Sequence, residues 1–414
     1  MRVIVWLSIV LTSAALAQAP QMAIPPVSLS GTWASVPLPE MALGITVHDG
    51  AIWVCGANEM IAESTDRGGH WSLRHWSLQG GEMLFSLAFQ GTRIHAFGTA
   101  GTHFVSSDGG ATWSSQNFDR TQAIIQAEFS DVSHVFAATA RGYATSDDGG
   151  RHWHFKNLQH PAWQFVVKDA SHAAVVVRDR DDRVLMTTAD AGRHWQETKV
   201  PEGYQWDDIQ SAGTGYRLYG QMVGPHVPPG FYVWDSAAGS NPQRTDVPGW
   251  ACSALGCRIP GGWAEAATGA QPQRWSLPDD TEFPANNAWA AIGDSFCTVG
   301  ETLRCRSGRT PWTALPEPRL TAASDATAAR CVKCRPPQYP AADRLANRQG
   351  MVQVHVVIGT DGRLKNLALL CAPSASLAHA AMDAVRGWIY APLRVGGVPM
   401  EVDSTIAVNF TLRN

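Results

Sequence analysis

The stretch Ser106–Trp113, SSDGGATW, decides how this chain folds. It reads Ser-x-Asp-x-Gly-x-Thr-Trp, and three more copies surround it: Ser64–Trp71 (STDRGGHW), Ser146–Trp153 (SDDGGRHW) and Thr188–Trp195 (TADAGRHW). The tryptophans fall at 71, 113, 153 and 195, in steps of 42, 40 and 42 residues. A fixed period near 40 marks repeated supersecondary units, stacked so that neighbours bury each other's apolar faces.

The shared positions are Ser64, Asp66, Gly68 and Trp71; Ser106, Asp108, Gly110 and Trp113; Ser146, Asp148, Gly150 and Trp153; Thr188, Asp190, Gly192 and Trp195. An Asp side chain that caps nearby N–H groups makes a tight turn, and Gly takes the positive φ that other residues avoid. Apolar runs such as Thr102–Val105 and Val184–Met186 precede the octets. Each octet therefore reads as the bend of a β-hairpin, with its Trp opening the next strand and packing between sheets. The octet resembles the Asp-box (BNR) repeat of sialidases, sortilin-type receptors and photosystem II assembly-factor propellers. That resemblance implies a β-propeller in which the four Asp residues are structural, because the box lies on turns away from those families' active sites.

From about Leu43 to Pro316 the rhythm persists: three strands, a box, and a fourth strand beginning at Trp. The boxes decay after Trp195, but Trp206–Val247, Trp250–Leu277 and Trp289–Leu315 keep the spacing, giving seven units. Counts of six or eight also fit. In the seventh unit Trp312–Leu315 reads as a fourth strand, and Trp33–Leu38 echoes it, which suggests ring closure by the amino-terminal segment. The expected organisation is a signal peptide over 1–19, a mainly β propeller over 30–316, a linker over 317–330 and a small α+β domain over 331–414.

The chain has 414 residues, 45% hydrophobic and 16% charged, with 17 Trp that the repeat largely explains. Its net charge of −4 is uneven. From Cys331 onward nine Lys/Arg stand against five Asp/Glu. Arg2, the apolar run Val3–Leu11 and the small residues through Ala19 read as an export signal, with cleavage after Ala17 or Ala19. The expected location is periplasmic or secreted, with inner-membrane anchoring if the signal stays uncleaved.

Eight Cys suit an oxidising compartment. Cys252 with Cys257 and Cys297 with Cys305 each flank a short turn, as cross-strand bridges do. Cys331 and Cys334 form a C-x-x-C, readable as a redox pair, half a zinc site or part of a structural disulfide. The last reading is favoured here, as Cys334–Cys371.

Beyond Cys331 the pattern changes. A short helix near Ala341–Asn347, strands over Gly350–Ile358 and Leu364–Cys371, a helix over Ser376–Ile389 and a strand over Met400–Leu412 give the order α-β-β-α-β. This unit resembles the TonB carboxy-terminal domain. The matching residues are Tyr339, Pro340, Gly350, Asp361, Gly362, Trp388, Pro392, Val408 and Phe410, with Ala381 and Ala384 in the helix and Gly397 after it. The resemblance implies docking of an outer-membrane receptor or other envelope protein by strand addition to the sheet. In that family docking serves energy-dependent transmembrane transport. Here a propeller stands where the family carries a Pro-rich spacer, so binding is the expectation, with the propeller as recognition platform. The basic balance also suits peptidoglycan or acidic partner segments.

Enzymatic alternatives are weaker. A sialidase needs an arginine cluster, a Tyr nucleophile and an acid/base carboxylate. Cys257-Arg258-Ile259-Pro260 echoes the sialidase Arg-Ile-Pro motif, but in the sixth unit. His152 and His154 share a strand face as a metal pair would, yet His precedes Trp in three of four boxes, which marks a turn position. Asp179–Arg183 (DRDDR) reads as a solvated hairpin tip. No cofactor, metal site, catalytic residue or nucleic-acid patch is expected. The alternatives to a binding protein are a glycan-processing propeller enzyme and an assembly or stability factor.

Overall fold

The computed structural model describes residues 23–78, 81–139, 142–157, 162–179, 182–202, 204–222, 231–239, 241–245, 250–253, 256–259, 262–265, 273–276, 289–299, 302–308, 310–311, 320–321, 330–395, 398–400 and 402–412. The expected signal peptide, the strand Trp312–Leu315, most of the 317–330 linker, Gly397 and the tip of the DRDDR hairpin lie outside the described residues. No helix among the described residues is long and apolar enough to cross a membrane.

Seven antiparallel sheets follow one another along the chain; six keep their strands in sequence order, and the seventh takes an outer strand from the amino-terminal segment. Their first strands form an inner ring: Ala42–His48, Leu84–Gln90, Ile124–Phe129, Ala162–Val167, Tyr204–Ala212, Trp250–Ser253 and Trp289–Ile292. Second strands such as Ala51–Gly56 and Val135–Thr139 are buried at every position. Neighbouring blades cover both their faces, so they read as continuous apolar runs (AIWVCG, VFAAT). Outer strands such as Gln196–Lys199 carry polar residues and face solvent. This is the seven-bladed propeller that the repeat period implies.

The box tryptophans fill the wedges between blades. Trp113 of blade two shares a core with Trp53 of blade one. Trp153 of blade three meets Phe97 of blade two edge-on at 5.6 Å, and Trp195 of blade four lies 4.6 Å from Tyr143 of blade three. Burying one such ring removes about 200 Å² from water, roughly 5 kcal/mol of hydrophobic driving force before ordering costs.

Ring closure uses the amino-terminal segment. Ala34 and Ser35 pair with Cys305 and Arg304, adding a fourth strand to blade seven. This is the closure that the echo of Trp33–Leu38 suggested; the other candidate for the fourth strand, Trp312–Leu315, lies outside the described residues. Thr310–Pro311 instead extends blade six, pairing with Arg274 and Gln273. The edge of Arg304–Ser307 is already occupied, and Gly308, at φ 82°, turns the chain away. Cys297 and Cys305 stand opposite each other in this blade and form a disulfide, with Cα atoms 4.1 Å apart. Cys252 is in register with Cys257 in blade six, and their side chains lie outside the description. Cys55 is a buried free thiol whose pKa burial pushes upward.

The elements of the carboxy-terminal unit are numbered here in chain order: β1 (Leu320–Thr321), β2 (Cys331–Lys333), α1 (Ala341–Leu345), β3 (Gly350–Ile358), β4 (Leu364–Cys371), α2 (Ala375–Arg386), β5 (Ile389–Tyr390), β6 (Leu393–Val395), β7 (Val398–Met400) and β8 (Val402–Phe410). The main sheet has the order β1-β8-β3-β4. Helix α2 lays Leu377, Ala378, Ala381, Met382 and Val385 against it, the i, i+4, i+8 stripe of an amphipathic helix. Ser374 caps α2 by accepting from Leu377 N at 3.2 Å. Ala57, Met83 and Phe85 of the first two blades join the same apolar cluster. Ala57 and Met83 sit in connections at the end of the blades opposite the Asp-box turns. The carboxy-terminal unit thus packs on that face of the propeller.

The expected Cys334–Cys371 bridge is corrected. Cys334 pairs with Cys331, their Cα atoms 6.1 Å apart, within the usual disulfide range. Strand β2 lies on β5, and Ile389 of β5 bridges to Arg363 just before β4. Cys371 ends β4, eight residues further along, which at about 3.3 Å per residue is the opposite end of the sheet.

Candidate functional site

Two regions compete for a functional role: the Asp-box turns and the sheet of the carboxy-terminal unit. The turns are built alike. In the first, Ser64 Oγ donates to Asp66 Oδ1 at 3.0 Å and accepts from Gly68 N at 2.8 Å. Asp66 Oδ1 accepts from His70 N at 2.7 Å, and its Oδ2 lies 2.5 Å from His70 Nδ1. Trp71 Nε1 donates to Gly68 O at 2.9 Å, so the ring is positioned by the turn it follows. His152 and His194 repeat the imidazole contact to Asp148 and Asp190 at 2.5 and 2.6 Å. In the second box Thr112 substitutes for His, its hydroxyl donating to Asp108 Oδ2 at 2.6 Å. The recurrence of His before Trp thus has a local cause, a second donor for the carboxylate.

These bonds hold the carboxyls ionised. The Thr112 hydroxyl and N–H, then the Ser106 hydroxyl, pull Asp108 down to about 2. The His194 N–H and imidazole do the same for Asp190, also to about 2. For Asp148 the upward push of burial is outweighed by His152, Ser146 and Arg151, leaving it at about 2. A carboxylate saturated by donors is a turn clamp and has little use as a proton donor at neutral pH.

The box glycines set the spacing between blades. A Cβ on Gly110, at φ +85°, would lie 2.9 Å from the Trp53 ring, and one on Gly192, at φ +83°, 2.5 Å from Thr145. At Gly68 it would meet both sulfurs of the Cys297–Cys305 bridge at 3.0 Å. Each box therefore abuts the preceding blade, and at the closure point it abuts the disulfide.

The inner ring contains no Arg or Lys on its seven strands. Glu128 of blade three is a perturbed acid on one of these strands. Solvent reaches the side chain, yet protein encloses enough of it that burial pushes it up to about 7, against a bond from Val167 N–H. His152 is engaged by Asp148, and no group of three metal-ligating side chains occurs among the described residues.

In the carboxy-terminal unit the motif residues hold the fold. Tyr339 packs edge-on against Phe410 at 5.4 Å and donates its hydroxyl to Arg348 O. Trp388 Nε1 donates to Arg335 O at 2.8 Å. Asp361 Oδ1 accepts from Arg363 N at 2.9 Å. Gly362, at φ +78°, leaves no room for a Cβ, which would lie 1.9 Å from Tyr390 O and 3.4 Å from Pro392. Pro340 precedes α1, and Gly350 begins β3 opposite Phe410. Val408 and Phe410 are buried, so their side chains face the core. What they offer a partner is backbone. Strand β8 is paired along its full length with β3 on one side. On the other side its described partner is the two-residue β1, which pairs in parallel with Val402 and Asp403. From Ser404 to Phe410 this edge has no strand beside it among the described residues.

One buried residue that sequence reasoning passed over organises the far end of the sheet. Asp343 of α1 is 1% exposed and accepts from Ser374 Oγ at 2.8 Å and from Ser376 Oγ. It ties α1 to the amino terminus of α2, where a carboxylate is favoured by the helix dipole.

Residues 335–412 match the family model of the Gram-negative bacterial TonB protein C-terminal. No curated protein matches the chain. Among solved structures, YCF48 bound to D1 peptide is similar at 16% identity and a TM-score of 0.47, covering 72% of this chain and 99% of that one. YCF48 from Cyanidioschyzon merolae is similar at 14% identity and a TM-score of 0.43, covering 67% and 98%. A xyloglucanase from Xanthomonas campestris is similar at 13% identity and a TM-score of 0.41, covering 68% and 54%. The chain thus joins an Asp-box β-propeller of seven blades to a segment, residues 335–412, that matches the TonB carboxy-terminal family.

Proposed function

We propose that this chain is a non-enzymatic binding protein of the periplasm, in which the outer edge of β8 receives an extended segment of an outer-membrane receptor or other envelope partner. The TonB-family match supports an envelope role in general. The observation that carries the specific reading is β1, a piece of the preceding linker already added as a parallel strand to Val402 and Asp403. Strand addition supplies affinity through backbone hydrogen bonds and needs a free edge, and among the described residues no strand lies beside Ser404–Phe410 on that side. The propeller serves as a second recognition surface, and coupling to transport follows the family's pattern. The absence of Arg and Lys from the inner strands weighs against a sialidase-like site, which needs cations for a substrate carboxylate.

The test is hydrogen exchange on the full chain titrated with extended ten-residue peptides from receptor amino-terminal segments. Amide exchange over Ser404–Phe410 should slow about tenfold at saturation. Replacing Leu320 and Thr321 by proline, which blocks β1 pairing, should strengthen peptide binding. Peptides that bind without protecting this edge would remove the proposal.

A further inference from the structure

The Cys331–Cys334 disulfide lies outside the apolar clusters formed by the described residues. Cys331 is exposed, Cys334 is half-buried, and Arg330, Lys333 and Arg335 around them are exposed. We infer that this C-x-x-C is a thiol–disulfide exchange site that accepts electrons from a protein dithiol, an activity independent of strand docking.

Three observations meet here. A bridge between residues three apart closes the shortest loop in the chain and restrains the unfolded state least, so it is a poor staple. The three-residue strand it spans is already held by pairing to Ile389 and Tyr390. The cations beside it favour thiolates, both the incoming nucleophile and the leaving sulfur. The other described bridge, Cys297–Cys305, differs on each point: both residues are 0% exposed, and the bond lies in the joint between blades seven and one.

The exchange runs as follows. A thiolate of the partner dithiol attacks the exposed Cys331 Sγ. The Cys331–Cys334 bond breaks, and Cys334 leaves as a thiolate beside Lys333 and Arg335. The partner's second thiolate then attacks its own sulfur in the mixed disulfide and releases Cys331. The partner is oxidised to a disulfide, and this chain gains two electrons and, on protonation, two protons. In the reduced state Ile389 O, 3.9 Å from Cys331 Sγ, is placed to accept from the thiol.

The experiment equilibrates the full-length native chain in dithiothreitol buffers of graded poise, quenches with acid, and alkylates. Mass spectrometry then scores the two bridges in the same sample, the buried one serving as internal control. Cys331–Cys334 should open at least tenfold faster than Cys297–Cys305 and at a less reducing poise. Reduced thioredoxin, used as a probe dithiol, should be oxidised one-for-one, and thioredoxin with its second, resolving cysteine replaced by Ser should be trapped on the oxidised chain as a mixed disulfide at Cys331, with Cys334 released as the thiol. Lys333→Glu with Arg335→Glu should slow opening severalfold while leaving the buried bridge unchanged. Opening of both bridges together, or opening of Cys331–Cys334 only in denaturant, overturns the proposal.

Discussion

Blades one to four and blade seven hold their neighbours by different means. In the first four a Ser/Thr–Asp–Gly–Trp turn clamps the third strand to the fourth and presses its glycine against the preceding blade. Blade seven has no box. It carries a disulfide between its second and third strands and borrows its fourth strand from the amino terminus. The first device is local, polar and repeated. The second is covalent and long-range, and it occurs once, where the ring must close. Acid and reductant should therefore open the ring in different places.

The acid half of that contrast carries the largest expected effect. Behind the second box, His95 Nδ1 lies 2.9 Å from His103 Nε2, and the outer nitrogens of both rings have no partner among the described residues. Burial, with Arg93 nearby, lowers His95 to about 4; burial, with His95 beside it, lowers His103 to about 3. Both folded values lie below the unfolded value near 6.5, so the native pair resists protonation while the unfolded chain takes up protons. The stability it contributes is complete above about pH 6.5 and is lost as pH falls through 4 and then 3, a few kcal/mol in total. Hydrogen exchange at pH 4 should show blades two and three opening before blade seven. His95→Phe with His103→Phe should flatten that slope, and an unchanged profile would break the contrast.

Closure comes next. Ala34→Pro with Ser35→Pro should cost roughly 3 kcal/mol by removing ladder donors, and should expose blade seven to proteolysis. Reducing the buried bridge by Cys297→Ser with Cys305→Ser should cost about 2–4 kcal/mol in denaturant titration, with the boxed blades less affected. A smaller effect separates two adjacent glycines. Gly110→Ala meets the Trp53 ring as well as a positive φ and should cost about 2–3 kcal/mol. Gly109→Ala meets only the φ of +68° with open space around it and should cost about 1 kcal/mol. Equal costs would show that the box glycine does not set blade spacing. The smallest is Asp108→Ala, about 1 kcal/mol at neutral pH. Its contribution is present above the unfolded value near 3.8 and lost as pH falls through about 2, so the variant and parent should converge below pH 2.

The contrast also explains what the sequence revealed. The boxes were legible because every partner of Asp66 or Asp108 lies within four residues, and a period of 40 repeats the signal. Strand β3 could be bounded at Gly350 and Ile358 because alternation is local too. Cysteine pairing was less legible. Cys297–Cys305 is the bridge of a hairpin, whereas choosing between Cys331 and Cys371 for Cys334 required knowing which ends of β4 and β5 meet. Ring closure left only an echo, Trp33–Leu38 repeating the pattern of the seventh unit, because the two strands that pair lie some 270 positions apart. Asp343 gave no signal, since a lone acid in a five-residue helix resembles a surface charge. Only the serines at 374 and 376, far along the chain, mark it as buried. The edge of β8 that has no strand beside Ser404–Phe410 among the described residues is a property of backbone pairing and has no residue signature at all.

The borrowed strand also has a kinetic consequence. The first described strand of the chain pairs with one of the last propeller strands, the most non-local contact in the ring. Loop-closure entropy must be overcome before that pairing yields any return, which makes it a slow step. As the chain emerges amino terminus first, Ala34–Ser35 must wait unpaired until Arg304–Ser307 has followed. Six blades can assemble in order during that delay, each on the face of the one before. The last event is then a docking of both chain ends, after which the buried sulfurs are sealed against the first box. An oxidant reaching Cys297 and Cys305 before that moment would lock a hairpin, not a ring, so the bond records a local fold that precedes the global one.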